Sequence, residues 1–207
     1  MTKIVMVSAK QGGGKSALAN ELLRTFRTAQ FDFGGTYKFA KTIYELQDLL
    51  LNRMERLTGV PRVEKDGDLL QLLGTNWGRK KFGENVWADI LKKEILAPTV
   101  YTASNRLSVV DDLRFKNEFN VLPEAYRVRL ECPEDVRRRR ATSWREDVNH
   151  PSEIDLDEYA AEGRFDLTVC TDPADPLYVP VEGIASLIYA ALQKDVDRWN
   201  RINYGNV

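Results

Sequence analysis

Nine residues, Ser8-Ala9-Lys10-Gln11-Gly12-Gly13-Gly14-Lys15-Ser16, have the types and the spacing to hold a polyphosphate. Glycines let successive backbone N–H groups turn inward and approach anionic oxygens. A helix opening at the same point adds its positive dipole end. Lys15 is placed to reach terminal phosphates and the Ser16 hydroxyl to help hold Mg²⁺. The pattern is the P-loop, G-x-x-x-x-G-K-[ST], with one departure: Ala9 stands where the first glycine is expected. Alanine is small, so the loop is expected to be restricted and still to form. The plainer alternative is a glycine-rich turn with an incidental lysine.

The flanks agree with the phosphate reading. Lys3 to Ser8 is a short apolar run rich in β-branched residues, as in a buried strand. After the loop, Leu18, Leu22 and Phe26, with Ala19 and Leu23, fall on one helical face. Further strands are predicted at 30–33, 107–110, 126–130 and 165–170. Between the second and third, Ile43, Leu46, Leu50, Met54 and Leu57 follow a helical period stopped at Gly59-Val60-Pro61. Asp68 to Leu73 reads as a shorter helix ended at Gly74, and Trp87, Ile90, Leu91 and Ile95 as another stripe stopped before Pro98. That block is too large for one crossover and reads as a helical insertion. Later come a short helix over 115–122, one starting at Pro133, a polar acidic loop over 149–163, and a final helix marked by Ile184, Leu187, Ile188, Ala191 and Leu192. The tail from Asn200 is expected to fray. Strands alternating with helices predict an α/β fold with a parallel core sheet covered on both faces.

Composition bounds the rest. A chain of 207 residues with 43% hydrophobic content can build one full core. Thirty basic against thirty-one acidic residues give a net charge of −1, which argues against a nucleic-acid clamp. Two cysteines make no disulfide framework, so a reducing, cytoplasmic setting is expected. No apolar run is long enough for a transmembrane helix, and the start shows no signal peptide.

Four segments together resemble the bacteriophage-type deoxynucleoside monophosphate kinases, P-loop enzymes related in fold to adenylate kinase. They are the loop itself, Phe39-Ala40-Lys41-Thr42-Ile43-Tyr44-Glu45, Leu69 to Arg79 followed by Val86-Trp87, and Asp112-Leu113-Arg114-Phe115-Lys116-Asn117-Glu118 with His150-Pro151-Ser152-Glu153 beyond it. The departures are Lys41-Thr42, where the family has an acid and a proline, and Thr171-Asp172, where it has an acid-amide pair.

The resemblance implies a three-layer α/β/α P-loop fold with core residues 1–34, 106–136 and 164–199, a monophosphate-binding helical insertion over 35–105 and a lid over 137–163. It implies Mg²⁺-dependent transfer of the ATP γ-phosphoryl group to a deoxynucleoside monophosphate, in host cytoplasm if the gene is a phage's. ATP is expected at Gln11, Gly12, Gly13, Gly14, Lys15, Ser16 and Ala17. Arg79 and Arg114 are the acceptor-phosphate candidates, each with the alternative of a surface ion pair, and Lys38 is a further substrate-binding candidate. Asp112 is expected to organise Mg²⁺ with Ser16, Asp111 being the competing carboxylate and helix capping the alternative for both. Of the run Arg137-Arg138-Arg139-Arg140, not all can face one ligand. Arg137 or Arg140, with Arg145, are expected to close on the ATP phosphates, and a solvated helix face is the alternative. Trp77, Trp87, Phe82 and Tyr37 are stacking candidates for a base, with Trp87 better placed in the core. His150, Ser152 and Glu153 are expected to contact nucleotide from the lid, the alternative for His150 being a loop turn before Pro151.

Two other readings stay open: a kinase acting on a hydroxymethylated base in DNA, which needs a general base and base flipping, and a nucleotide-gated binding module. The expected partners are small nucleotides, with no membrane and no nucleic acid; a homodimer is left open.

Overall fold

The computed structural model describes residues 2–28, 32–97, 106–141, 144 and 150–204, without the side chains of 28, 32, 33 and 195–204. The apolar run at the start forms β1 (Thr2–Ala9), and the helical stripe after the loop forms α1 (Lys15–Thr28). Then come β2 (Asp32–Tyr37), α2 (Lys41–Thr58), α3 (Gly67–Gln71), a π-helical segment (Leu72–Arg79), α4 (Lys80–Phe82) and α5 (Val86–Leu96). The chain closes with β3 (Arg106–Val110), α6 (Lys116–Asn120), β4 (Tyr126–Glu131), α7 (Glu134–Arg140), α8 (Pro151–Ile154), α9 (Asp157–Ala161), β5 (Leu167–Cys170) and α10 (Val181–Tyr204).

The five strands form one parallel sheet in the order β2-β3-β1-β4-β5. The expected parallel α/β architecture is the observed one. β1 is central and buried from Lys3 to Ala9, which is why its sequence is a continuous apolar run. Its side chains alternate between two cores. Val5, Val7 and Ala9 pack with Leu18, Leu22 and Phe26 of α1 and with Ile184, Ala185 and Ile188 of α10. Ile4 and Met6 face the other way, onto Leu91 and Ile95 of α5, Phe119 of α6, Leu156 and Phe165. Both layers anchor the carboxyl ends of the strands, where an open α/β sheet places its ligands.

Several expectations need correction. β2 runs to Tyr37, beyond the predicted 30–33. The 149–163 stretch holds α8 and α9. α10 continues through Tyr204, past the point where fraying was expected. α2 stops at Gly59 as predicted, yet Leu50, Met54 and Leu57 are exposed and its buried residue is Gln47, whose amide oxygen accepts the Asp66 N–H. The period was real, but α2 lies on the rim, with α3 and the π-helical segment against one side only.

Gly74 does not end a helix. The backbone passes through it in π conformation as far as Arg79. The reason is tertiary: the Trp87 indole N–H donates to the Gly74 carbonyl at 2.8 Å, and a Cβ on Gly78 would lie 2.2 Å from the Trp87 ring. Trp87 is therefore core, as expected. Cys132 and Cys170 are free thiols. No described helix is long and apolar enough to cross a membrane.

Candidate functional site

The turn after β1 is built around close approaches. Gly12 and Gly14 have φ of 75° and 93°, a region side chains disfavour. The Gly13 N–H donates to the Lys10 carbonyl at 3.0 Å. A Cβ on Gly13 would stand 2.7 Å from the Ala9 Cβ, so Gly13 supplies the room that Ala9 takes up. Gly13→Ala is accordingly expected to weaken ATP binding at least about tenfold, and adding Ala9→Gly to restore part of it, both measured by isothermal titration.

Lys15 folds back over this turn, its ammonium donating to the Ala9 carbonyl at 2.6 Å and the Lys10 carbonyl at 3.4 Å. Burial, and then the Arg114 charge, lower its pKa to about 8, against the pull of Glu153, Asp111 and Asp112. Lys15 and Ser16 form one wall of a cavity of about 300 Å³. Lys38, Arg79 and Arg114 line the same cavity, together with Phe39, Tyr44, Trp87 and Phe115. Three cations and several flat rings thus share one cavity with the start of α1. Arg79 lies over the Phe115 ring at 4.6 Å, which fixes the guanidinium plane.

The carboxylates divide in an unexpected way. Asp112 accepts the Phe39 N–H at 2.8 Å and the Ala40 N–H at 3.1 Å, so both its oxygens are engaged at the start of α2. Burial pushes its pKa up to about 6 against those two donors. Asp111 is buried, with Lys38 at 3.4 Å from Oδ2 and no hydrogen-bond partner for Oδ1. Of the two, Asp111 has the oxygen to spare. Among the described residues no group of three or more His, Cys, Asp or Glu gathers as a direct metal site.

Glu118, which ends the Asp112–Glu118 segment and carries no signal of its own in the sequence, accepts the Arg114 and Phe115 N–H groups at 2.8 and 3.1 Å. Burial, followed by repulsion from Asp112, raises its pKa to about 8. A carboxyl raised from 4.5 to about 8 binds its proton more tightly when folded. Its contribution to stability is full below pH 4.5 and is lost as the pH rises through about 8. Thermal melts across that window are expected to show this decline, and Glu118→Gln to flatten it.

The arginine run splits as helical geometry requires. Arg137 is buried against the phosphate turn, donating to the Cys132 carbonyl at 3.0 Å and the Gln11 carbonyl at 2.9 Å. Its own backbone carbonyl would lie 2.4 Å from a Cβ on Gly12. It braces the turn from beside it rather than closing over it. Arg138 and Arg139 pair with Glu134 and Asp135 one helical turn back. Arg140 donates to the Thr171 carbonyl at 2.7 Å, at the loop after β5. Arg145 lies outside the described residues.

The segment after it reaches the turn directly. Glu153 accepts the Gln11 N–H at 2.7 Å and pairs with Arg114 at 2.5 Å. Burial alone would raise its pKa, but the Gln11 N–H and Arg114 hold it below the usual value. Asp157 pairs with Lys10 at 2.6 Å and Arg129 at 2.7 Å. A second cavity of about 270 Å³ lies here, lined by Lys10, Gln11, Arg137, Trp144, Glu153 and Asp157. Ser152 touches Arg114 through its carbonyl at 3.3 Å. His150 is exposed and caps α8, its Nδ1 accepting the Ser152 N–H.

Of the stacking candidates, only Trp87 lines the first cavity. Trp77 is 42% exposed and meets Phe82 edge-on, and the Tyr37 hydroxyl is engaged by the Gly34 carbonyl. Phe39, Tyr44 and Phe115 form the aromatic wall instead. All three stood in the quoted segments, and their signal was adjacency to Ala40, Glu45 and Arg114 in those motifs.

No protein-family model matches the chain, and no curated protein matches it in sequence. Solved structures do. A shikimate kinase from Aquifex aeolicus vf5 superposes with a TM-score of 0.50 at 13% identity, covering 98% of this chain and 99% of that one. TT1252 from Thermus thermophilus gives a TM-score of 0.52 at 18% identity, covering 93% and 97%. At such identities the likeness concerns the fold alone: this chain shares the α/β architecture of those two structures.

Proposed function

We propose that this chain is a kinase that transfers the ATP γ-phosphoryl group to the phosphate of a deoxynucleoside monophosphate. The carrying observation is the first cavity, in which Lys15 and Ser16 share one space with Lys38, Arg79, Arg114 and a wall of aromatic rings. Cations suit the acceptor phosphate and flat rings suit a base. The acceptor phosphate is already an anionic nucleophile, so positioning and charge neutralisation supply most of the catalysis. The engagement of both Asp112 oxygens fits an acceptor that needs no base there.

In this reading the amides of Gln11 to Ala17 cradle the triphosphate, and Lys15 exchanges the Ala9 carbonyl for a phosphate oxygen. Residues 35–105 hold the acceptor, and the 137–163 region acts as the lid. Asp111 and Ser16 both line this cavity, and a carboxylate and a hydroxyl there suit a hydrated Mg²⁺ resting mainly on phosphate oxygens, a role the resemblance gives to Asp112. When bound, the ion neutralises charge on the transferred group.

A second reading is transfer to a hydroxyl of a small acid, with Asp111, which lines the cavity, as the base, a reading supported by the likeness to a shikimate kinase. Coupled ADP release, run with ATP and each deoxynucleoside monophosphate in turn and then with shikimate, decides between them. ADP formed with a monophosphate is the expected result. ADP formed only with the hydroxy acid would replace the first reading by the second.

A further inference from the structure

The two cavities flanking the phosphate turn are separated by one ion pair. Arg114 lines the first, Glu153 lines the second, and their side chains meet at 2.5 Å. The other Glu153 oxygen accepts the Gln11 N–H at 2.7 Å. Both groups it occupies are ones the proposed kinase would offer to phosphates: a main-chain amide of the triphosphate cradle and the guanidinium assigned to the acceptor. A carboxylate is a flat, two-oxygen anion, and here it stands where two different phosphates would each want one of its partners.

The grip is reinforced. Asp157 in α9 holds Lys10 of the same turn and Arg129 of β4, and the Asp155 carboxylate accepts the Lys116 N–H at 2.7 Å. The acidic face of 153–157 therefore sits on the basic rim of the site through contacts to the turn, to β4 and to α6. Arg114 keeps part of its side chain open to solvent, so an incoming anion can reach it without unfolding anything.

We infer that Glu153 couples the two substrate sites: its carboxylate bridges the triphosphate cradle and Arg114 in the free protein, and a phosphate arriving at either one weakens its hold on the other. The inference rests on the kinase reading and adds to it a rule for binding. Glu153 is a positioning residue here, acting through Gln11 and Arg114. Each substrate alone must displace the bridge, whereas the second finds its groups already released. By linkage the enhancement is the same in both directions.

The experiment titrates full-length protein with Mg²⁺ and the β,γ-imido analogue of ATP, with and without a saturating mixture of the four deoxynucleoside monophosphates. Wild type is expected to bind the analogue about tenfold more tightly in the presence of the monophosphates, as when a competent state is populated only about one part in ten. Glu153→Ala is expected to bind the analogue alone about tenfold more tightly than wild type, with the ratio between the two conditions falling to about one. A purely structural role would weaken binding in both conditions and leave the ratio unchanged, overturning the inference. Should Glu153→Ala fail to fold, Glu153→Gln reads the same ratio, because it keeps the size and an acceptor oxygen while losing the charge. Analogue binding by wild type with no enhancement by monophosphate overturns the coupling alone. No analogue binding by any of the proteins overturns the kinase reading and the coupling with it.

Discussion

Replacing Lys15 by alanine is expected to lower kcat about a thousandfold while the chain stays folded, because the ammonium contributes most where charge builds on the transferred group. That ammonium donates to the Ala9 and Lys10 carbonyls, so its loss also strips two carbonyls of a donor. Lys10 lines the second cavity, where water can satisfy its carbonyl, so the melting temperature is expected to move by only a few degrees. The pH dependence gives a second reading of the same group. Burial holds the Lys15 pKa at about 8, so the ammonium is charged below that pH and neutral above it. A neutral amine gives up its attraction for the triphosphate. The kcat/KM for ATP should therefore fall as pH rises through about 8 in wild type, and lose that limb in Lys15→Ala. A variant with unchanged kcat would remove the phosphate turn from the mechanism altogether.

The turn was legible in the sequence because everything that makes it is local. Strand, glycine spacing and helix follow one another within Thr2–Thr28, and no distant contact is needed to recognise them. The sheet was legible for a similar reason: strands buried on both faces must be continuously apolar. What the sequence hid was set by contacts far apart in the chain. Gly74 carries the signature of a helix stop, yet the backbone runs on because Trp87, thirteen residues later, bonds to its carbonyl and crowds Gly78. The stripe from Leu50 to Leu57 has the period of a core face, and period cannot say whether a partner layer exists to cover it.

The same division runs through the candidate site. Arg114, which lines the first cavity, stands out in the sequence by its place after a strand, two residues past Asp112. Which of Asp111 and Asp112 keeps an oxygen free depended on the Phe39 and Ala40 amides, more than seventy positions away. Arg137 carries the charge of a lid residue, but its helix packs that residue inward against Gln11 and Cys132. A run of like residues gives no sign of which one the fold will bury.

Arg114→Ala is expected to raise KM for the monophosphate about a hundredfold and to change KM for ATP less than about threefold, since a charge-assisted fork to phosphate is lost from the acceptor side alone. The split matters because Arg114 has two tasks. It lines the cavity with Arg79 and Lys38, and it also anchors Glu153. In the proposed reading its removal takes away an acceptor contact and loosens the carboxylate on the Gln11 amide, so any drift in ATP affinity should be toward tighter binding. Arg114→Lys separates the tasks further. A lysine keeps the charge near Glu153 but cannot present two parallel N–H groups, so it should recover little of the monophosphate KM. The Glu118 carboxyl group, which accepts the Arg114 and Phe115 N–H groups, keeps the backbone of this corner in place in both variants. Equal rises in both KM values would place Arg114 between the substrates as a general electrostatic clamp and take the acceptor assignment from it.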